Sequence, residues 1–170
     1  MVPDLSYLKT KDSLHVMMVC LGNICRSPMA AAVLATRVRE IEGKSITVSS
    51  SGTSNWHEGQ AANPPSQRTW EKAGYSHQHL ASQITSERIA NSDLILVMDR
   101  SNLRNVISMA SNDDHTKIFL LRSFDVTAEN DEVPDPYGMA DGAFQEVLEM
   151  VERAVDGLLS ALGVANPSGT

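Results

Sequence analysis

The sequence predicts an α/β fold, a three-layer sandwich in which one parallel β-sheet lies between layers of helices. Three observations carry that prediction. Four short apolar runs have the length and composition of buried strands. Segments with apolar residues at helical spacing separate them. The chain has 170 residues, 42% hydrophobic and 21% charged, which matches one ordinary domain able to bury its own core. Successive parallel strands joined through helices make right-handed crossovers, so helices cover both faces of the sheet.

Taken in chain order, the first predicted strand is Leu14 to Val19, LHVMMV. Met29, Val33, Leu34, Val38 and Ile41 recur on one face of the helix that follows, and Gly43 is its expected stop. Ile46 to Ser50 reads as the second strand. Pro64 and Pro65 open a helix over residues 64–73, which Gly74 closes. Leu94 to Met98 is a third strand, Asn102 to Ala110 a third helix, and Lys117 to Leu121 a fourth strand. The last helix is the clearest. Phe144, Val147, Leu148, Val151, Val155, Leu158, Leu159 and Leu162 trace a long apolar stripe that ends at Gly163. The domain is therefore expected over residues 13–163, with 1–12 a loosely ordered extension and 164–170 a tail.

Composition narrows the function. No apolar run approaches the roughly 18 residues that cross a bilayer, and the opening MVPDLSYLKTKD has neither the apolar core of a secretion signal nor an Arg-rich character. The cytoplasm is the expected compartment, with secretion lacking a signal peptide left open. A net charge of −7 argues against nucleic acid or an anionic membrane as the main partner, so any anion site must be local. The two cysteines, five positions apart, are expected to be reactive or buried and not a structural staple.

Both cysteines fall where the first strand meets the first helix, in VCLGNICRSP, Val19 to Pro28. In parallel α/β folds, ligands bind beyond the carboxyl ends of the strands. Unpaired N–H groups converge at a helix N-terminus, and Gly22 permits the bends of an anion nest. Arg26 follows Cys20 by six positions and offers a planar fork to two phosphate oxygens. A thiol held over such a nest has its thiolate stabilised, and the Ser27 hydroxyl is placed to hydrogen-bond it. Attack of Cys20 on phosphorus is the implied reaction; a core-filling cysteine is the alternative. The reaction needs a general acid for the leaving oxygen. Asp135, stiffened between Pro134 and Pro136, is the candidate, against an ordinary Pro-Asp turn.

With both motifs in hand, the chain resembles the low-molecular-weight protein tyrosine phosphatases. It matches their VCxGNxCRSP loop at residues 19–28 and their late DPY loop at Asp135 to Tyr137, with further similarity in SSGTSNWH, HLASQIT and MDRSN. The resemblance covers roughly residues 14–162. It implies a four-stranded parallel sheet of order 2-1-3-4, Cys20 as nucleophile, Arg26 as phosphate clamp and Asp135 as general acid and base. It implies a phosphate-binding loop of Leu21, Gly22, Asn23, Ile24, Cys25, Arg26 and Ser27, held in shape by Asn23, Ser27, Ser50 and His79. Apart from the resemblance, His79 reads as a surface histidine. Leu21, Ile24, Trp56 and Tyr137 are the implied substrate walls, two aromatics flanking a slot for a flat aryl group. Trp56 as a half-buried core residue is the alternative.

The implied activity is hydrolysis of phosphotyrosine and other aryl phosphates through a cysteinyl-phosphate, with no cofactor and no metal. The implied partners are phosphotyrosine proteins and phosphate or other oxyanions, bound by a monomer. Gly138 departs from relatives that continue DPY with a second tyrosine or a larger residue, which opens one rim and leaves peptide preference undecided. The nucleophile is also preceded by about a dozen more residues than is usual in the family. Arsenate reduction on the same fold needs a relay cysteine, and none follows Cys25. Protein-arginine phosphatases of this kind carry threonine at the position of Ile24. A phosphopeptide-binding module without catalysis is the rival from another class. Cys25 has no necessary part in phosphoryl transfer. It is expected to be a resolving cysteine that condenses with an oxidised Cys20, the alternative being a residue that packs beneath the loop.

Overall fold

The structure, a computed structural model, describes residues 2–164. Its elements are β1 (Ser13–Cys20), α1 (Arg26–Val38), β2 (Ser45–Gly52), α2 (Pro64–Lys72), α3 (Ser86–Asn91), β3 (Leu94–Val97), α4 (Arg100–Met109), β4 (Ile118–Leu120) and α5 (Asp141–Ala161). All strand pairs are parallel, and the order β2-β1-β3-β4 is the expected one.

The period-two alternation of β1 divides the core. Val16, Met18 and Cys20 point to one face, where they join Leu94, Leu96, the alanines of α1 and the apolar stripe of α5. Met17 and Val19 point to the other, with Ile95, Val97, Ile89 of α3 and Val106 of α4. Because β1 is covered on both sides from Val16 on, Val16 to Cys20 is a continuous apolar run with no polar alternation, and Ser13 and His15 fall at its less covered start. Ala30, Ala31 and Ala32 are fully buried, and their small side chains let α1 lie close to the sheet. Close approach recurs at Gly157 of α5, where a Cβ would stand 1.9 Å from the carbonyl oxygen of Phe124. Only glycine lets the short helical turn Leu121–Phe124 rest there.

Two expectations are corrected, and one helix, α3, was not expected. Gly43 does not stop α1; the helix ends at Val38, after which the bonds Glu40 N–H to Arg37 O and Ile41 N–H to Val38 O tighten the chain into a 3₁₀ turn. Ile41 still packs on the core from that turn. Helix α3 lacked a sequence signal because its six residues are too few for an amphipathic period; the Thr85 hydroxyl caps it by accepting the Arg88 N–H. Residues 2–12 are not loosely ordered. A helical turn at Ser6–Leu8 buries Leu5 and Leu8 in the main core, and the Lys44 ammonium donates to the carbonyls of Leu8 and Lys11 at 2.9 and 2.7 Å. Asp93 fastens the join by accepting from the His15 N–H and from Lys11. Two leucines amid charges carry too little periodicity to announce such a brace. Of the expected tail, only Val164 lies within the described residues.

Candidate active site

The loop between β1 and α1 takes its shape from bonds made outward. The Cys20 and Leu21 carbonyls accept from the N–H groups of Thr53 and Ser54, the Ile24 carbonyl from Asn63 N–H, and the Cys25 carbonyl from the Ser66 hydroxyl. With the carbonyls so engaged, the N–H groups of Gly22, Ile24 and Cys25 have no acceptor among the described residues. They meet the N-terminus of α1, whose N-cap, Cys25, gives no side-chain cap. The result is a cradle of donors and positive helix dipole, the arrangement an oxyanion takes. Gly52 abuts this loop so closely that a Cβ would lie 2.8 Å from the Leu21 carbonyl oxygen.

Asn23 is the keystone of that shape. It is the one non-glycine residue at positive φ, 58°, among the described residues, and its side chain secures the strained conformation. The amide nitrogen donates to Ser27 Oγ and Ser50 Oγ at 2.8 and 2.9 Å, and Oδ1 accepts from the Ser82 N–H. Its main-chain carbonyl accepts from His79 Nε2 at 2.5 Å. That bond places the proton on Nε2 of the neutral ring. Burial holds the His79 pKa below its ordinary value, while the Asn23 bond opposes the shift. Asn23, Ser27, Ser50 and His79, expected to act together, are thus one hydrogen-bonded unit. Arg88 extends it by donating to the Ser50 carbonyl and the Ser82 hydroxyl. Arg88 and Ser82 escaped sequence reading, because nothing local marks a loop partner at such separation.

The Cys20 sulfur, 3% exposed, sits beneath the cradle. It accepts from the Asn23 N–H at 3.3 Å and lies 3.0 Å from Ser27 Oγ. Since Asn23 donates to that hydroxyl, the serine proton goes to the sulfur at 3.0 Å or to the more distant Ser51 carbonyl at 3.5 Å. Arg26 is equally buried, and its Nη1 donates to Asp99 Oδ2 at 2.8 Å and to the Val133 carbonyl at 3.0 Å. Burial alone would lower the guanidinium pKa, but Cys20, Asp99 and Asp135 together raise it. Asp99 does double duty, since Oδ1 caps α4 through the Asn102 N–H. MDRSN signals that cap in sequence, though not its second partner.

Asp135 lies at the mouth, half exposed, with Oδ2 at 3.8 Å from Arg26 Nη2. Its Oδ1 accepts the Tyr137 N–H at 3.1 Å, an Asx turn that fixes the carboxylate's direction. A cavity of about 130 Å³ brings Asp135 together with Cys20, Arg26, Leu21, Ile24, Trp56 and Tyr137. Trp56 is 69% exposed and Tyr137 57%, so both stand as walls and Trp56 is no core residue. His57 joins this lining without having been expected, its ring 6.4 Å from that of Tyr137 and its Nδ1 paired with Gln60 Oε1. Cys25 also reaches the cavity but is 4% exposed, packed with Ile24, Ala81 and Phe144. Burial foremost, then Asp135 and Cys20, push its thiol pKa up to about 12.

Comparison with known proteins agrees with this geometry. The family model for low molecular weight phosphotyrosine protein phosphatase matches residues 15–166. A low molecular weight protein-tyrosine-phosphatase of Streptomyces coelicolor is 41% identical over 152 residues, 87% of this chain and 93% of the relative. Low molecular weight protein-tyrosine phosphatase A of Mycobacterium tuberculosis is 37% identical over 150 residues, 86% and 90% of the two chains. Among solved structures, a protein tyrosine phosphatase of Entamoeba histolytica, with Hepes in its active site, superposes with a TM-score of 0.84 at 31% identity. It covers 88% of this chain and 97% of its own. On sequence, fold and the residues that line its cavity, the chain belongs to the low molecular weight phosphotyrosine protein phosphatases.

Proposed function

We propose that this protein hydrolyses phosphotyrosine in proteins, and other aryl phosphates, with Cys20 as nucleophile, Arg26 as phosphate clamp and Asp135 as general acid and base. The carrying observation is the Cys20 sulfur set below a ring of unpaired N–H groups, with Arg26 held beside it and a carboxylate at the mouth. A phosphate dianion entering the cradle receives those donors and the guanidinium fork. The Cys20 thiolate attacks phosphorus in line, the P–O bond to the aryl oxygen breaks, and Asp135 gives that oxygen its proton. Asp135, now a carboxylate, takes a proton from water as the water attacks the thiophosphate. The Cys20 thiolate then leaves, stabilised by the Ser27 hydroxyl and the Asn23 N–H.

Trp56 and Tyr137 supply the two aromatic walls of an aryl slot, and Ile24 supplies an apolar floor that favours tyrosine over a guanidino group. The same reading has a monomer acting in the cytoplasm. Cys25 serves as the resolving thiol. Hydrogen peroxide oxidises the Cys20 thiolate to a sulfenic acid with release of water. The Cys25 sulfur then displaces the hydroxyl as water and closes a disulfide that thiol reductants reopen.

The test is the covalent intermediate. Acid-quenched enzyme should carry phosphate in wild type, lose it in Cys20→Ser together with turnover of p-nitrophenyl phosphate, and accumulate it in Asp135→Ala. Turnover that survives Cys20→Ser would refute the mechanism.

A further inference from the structure

A second groove, of about 730 Å³, shares Arg26 and Asp135 with the active-site cavity and is otherwise lined by different residues. Four arginines face it: Arg26, Arg100, Arg104 and Arg122. Arg26 is committed to Asp99, and Arg100 to Asp131 and Glu132. Among the described residues neither Arg104 nor Arg122 has a carboxylate partner; of the groove carboxylates, Asp99 and Glu132 are engaged by Arg26 and Arg100, Asp135 lies 3.8 Å from Arg26, and Glu129 has no ion pair. Arg122 is the unusual member. It is 8% exposed, its Nη1 donates only to neutral oxygens, Glu132 O and Asn130 Oδ1, and its buried Nε has no partner. A buried guanidinium without a counter-charge is costly, and its Nε–H is left without an acceptor.

We propose that this groove is a second oxyanion subsite, which takes a phosphate group on Arg122 and Arg104 alongside the reacting phosphate. Continuity with the active site through Arg26 and Asp135 puts it within reach of a second phosphate on the same substrate chain. Free oxyanion has the same chemistry. Arg122 supplies a planar fork, Arg104 an exposed charge that draws the anion in, and Glu129 a competing carboxylate that keeps the subsite weak. The Arg122 bonds to Asn130 and Glu132 anchor the subsite to the strand of chain that leads into Asp135. This inference rests on the phosphatase reading above.

The experiment compares kcat/KM on phosphotyrosine peptides with and without a phosphoserine at a series of offsets. At the offset that reaches the groove, the second phosphate should raise kcat/KM about tenfold through KM, the size of one charge-assisted hydrogen bond. That ratio should fall to one in Arg104→Gln and Arg122→Met and grow in Glu129→Gln. Arg104 is exposed, so its variant tests the groove even where Arg122→Met fails to fold. In a second arm, inorganic sulfate is titrated into vanadate-saturated enzyme. Binding that Arg104→Gln abolishes identifies free oxyanion as an occupant, and the peptide ratio identifies the substrate's own phosphate. A ratio of one at every offset with no sulfate binding would overturn the subsite, as would effects that persist in both arginine variants. Failure to hydrolyse the singly phosphorylated peptide would instead defeat the phosphatase reading, and the sulfate arm would still report on the groove.

Discussion

Asp99 is the residue whose replacement best separates the geometry of the proposed Arg26 clamp from its mere presence. Its carboxylate serves two donors with two oxygens, Asn102 N–H on Oδ1 and Arg26 Nη1 on Oδ2, at 2.8 Å each. Asparagine has one carbonyl oxygen. In Asp99→Asn the single amide oxygen serves either the cap of α4 or Arg26, and with the cap kept the NH₂ is turned against the Arg26 cation. Arg26 is 3% exposed and Asp99 24%, so the lost interaction is a partly screened charge-assisted hydrogen bond, worth about 1.5–3 kcal/mol. For a domain of this size that lowers Tm by about 5 °C. The guanidinium, still held by the Val133 carbonyl, loses its lateral fix. The kcat/KM on an aryl phosphate should fall by about ten- to a hundredfold, the same free energy read in the transition state. Thermal unfolding and steady-state kinetics of one preparation check both numbers. A normal kcat/KM with a lowered Tm would refute the claim that Asp99 orients the clamp.

Asp135→Ala should cost far more on phosphotyrosine than on p-nitrophenyl phosphate, because a leaving group of low pKa departs with little help; equal losses would move the general acid elsewhere. His79 has a folded pKa below its ordinary value of about 6.5, so its stabilisation is complete above that pH and is lost as pH falls through the folded pKa. His15 and His77 share that direction, so Tm should drop between about pH 7 and pH 5, with a shallower slope in His79→Gln; an unchanged slope would dismiss His79 as a source. Leu8→Ala should destabilise by about 2–4 kcal/mol in denaturant unfolding, whereas a loss within 0.5 kcal/mol, typical of a surface position, would deny the N-terminal segment its place in the core. Since burial pushes the Cys25 thiol pKa up to about 12, disulfide formation after peroxide should accelerate steadily up to high pH. Cys25→Ser should lose the recovery by reductant that wild type keeps; equal recovery would leave Cys25 a packing residue.

What the sequence could disclose follows from where each interaction is encoded. The strands, α1 and α5 are local facts: a buried strand is an apolar run and a long helix an apolar stripe, so both could be read before any fold was known. The Cys20–Ser27 loop and the DPY turn were legible too, because each packs its proposed chemistry into a few adjacent residues. The second tier was not. Asp99 stands 73 residues from Arg26, Ser82 59 from Asn23 and Arg88 38 from Ser50, so their roles exist only once parallel crossovers have brought the strand ends together. Each also has a sufficient local reason to be present, as helix cap, loop residue or surface cation, which hides the second partner. The same holds for Arg122, which by sequence is one arginine after a strand. Its meaning lies in the carboxylate that the fold fails to place beside it. A buried charge without its complement is thus a property of the assembled chain, and the groove around Arg122 is where that imbalance can be used.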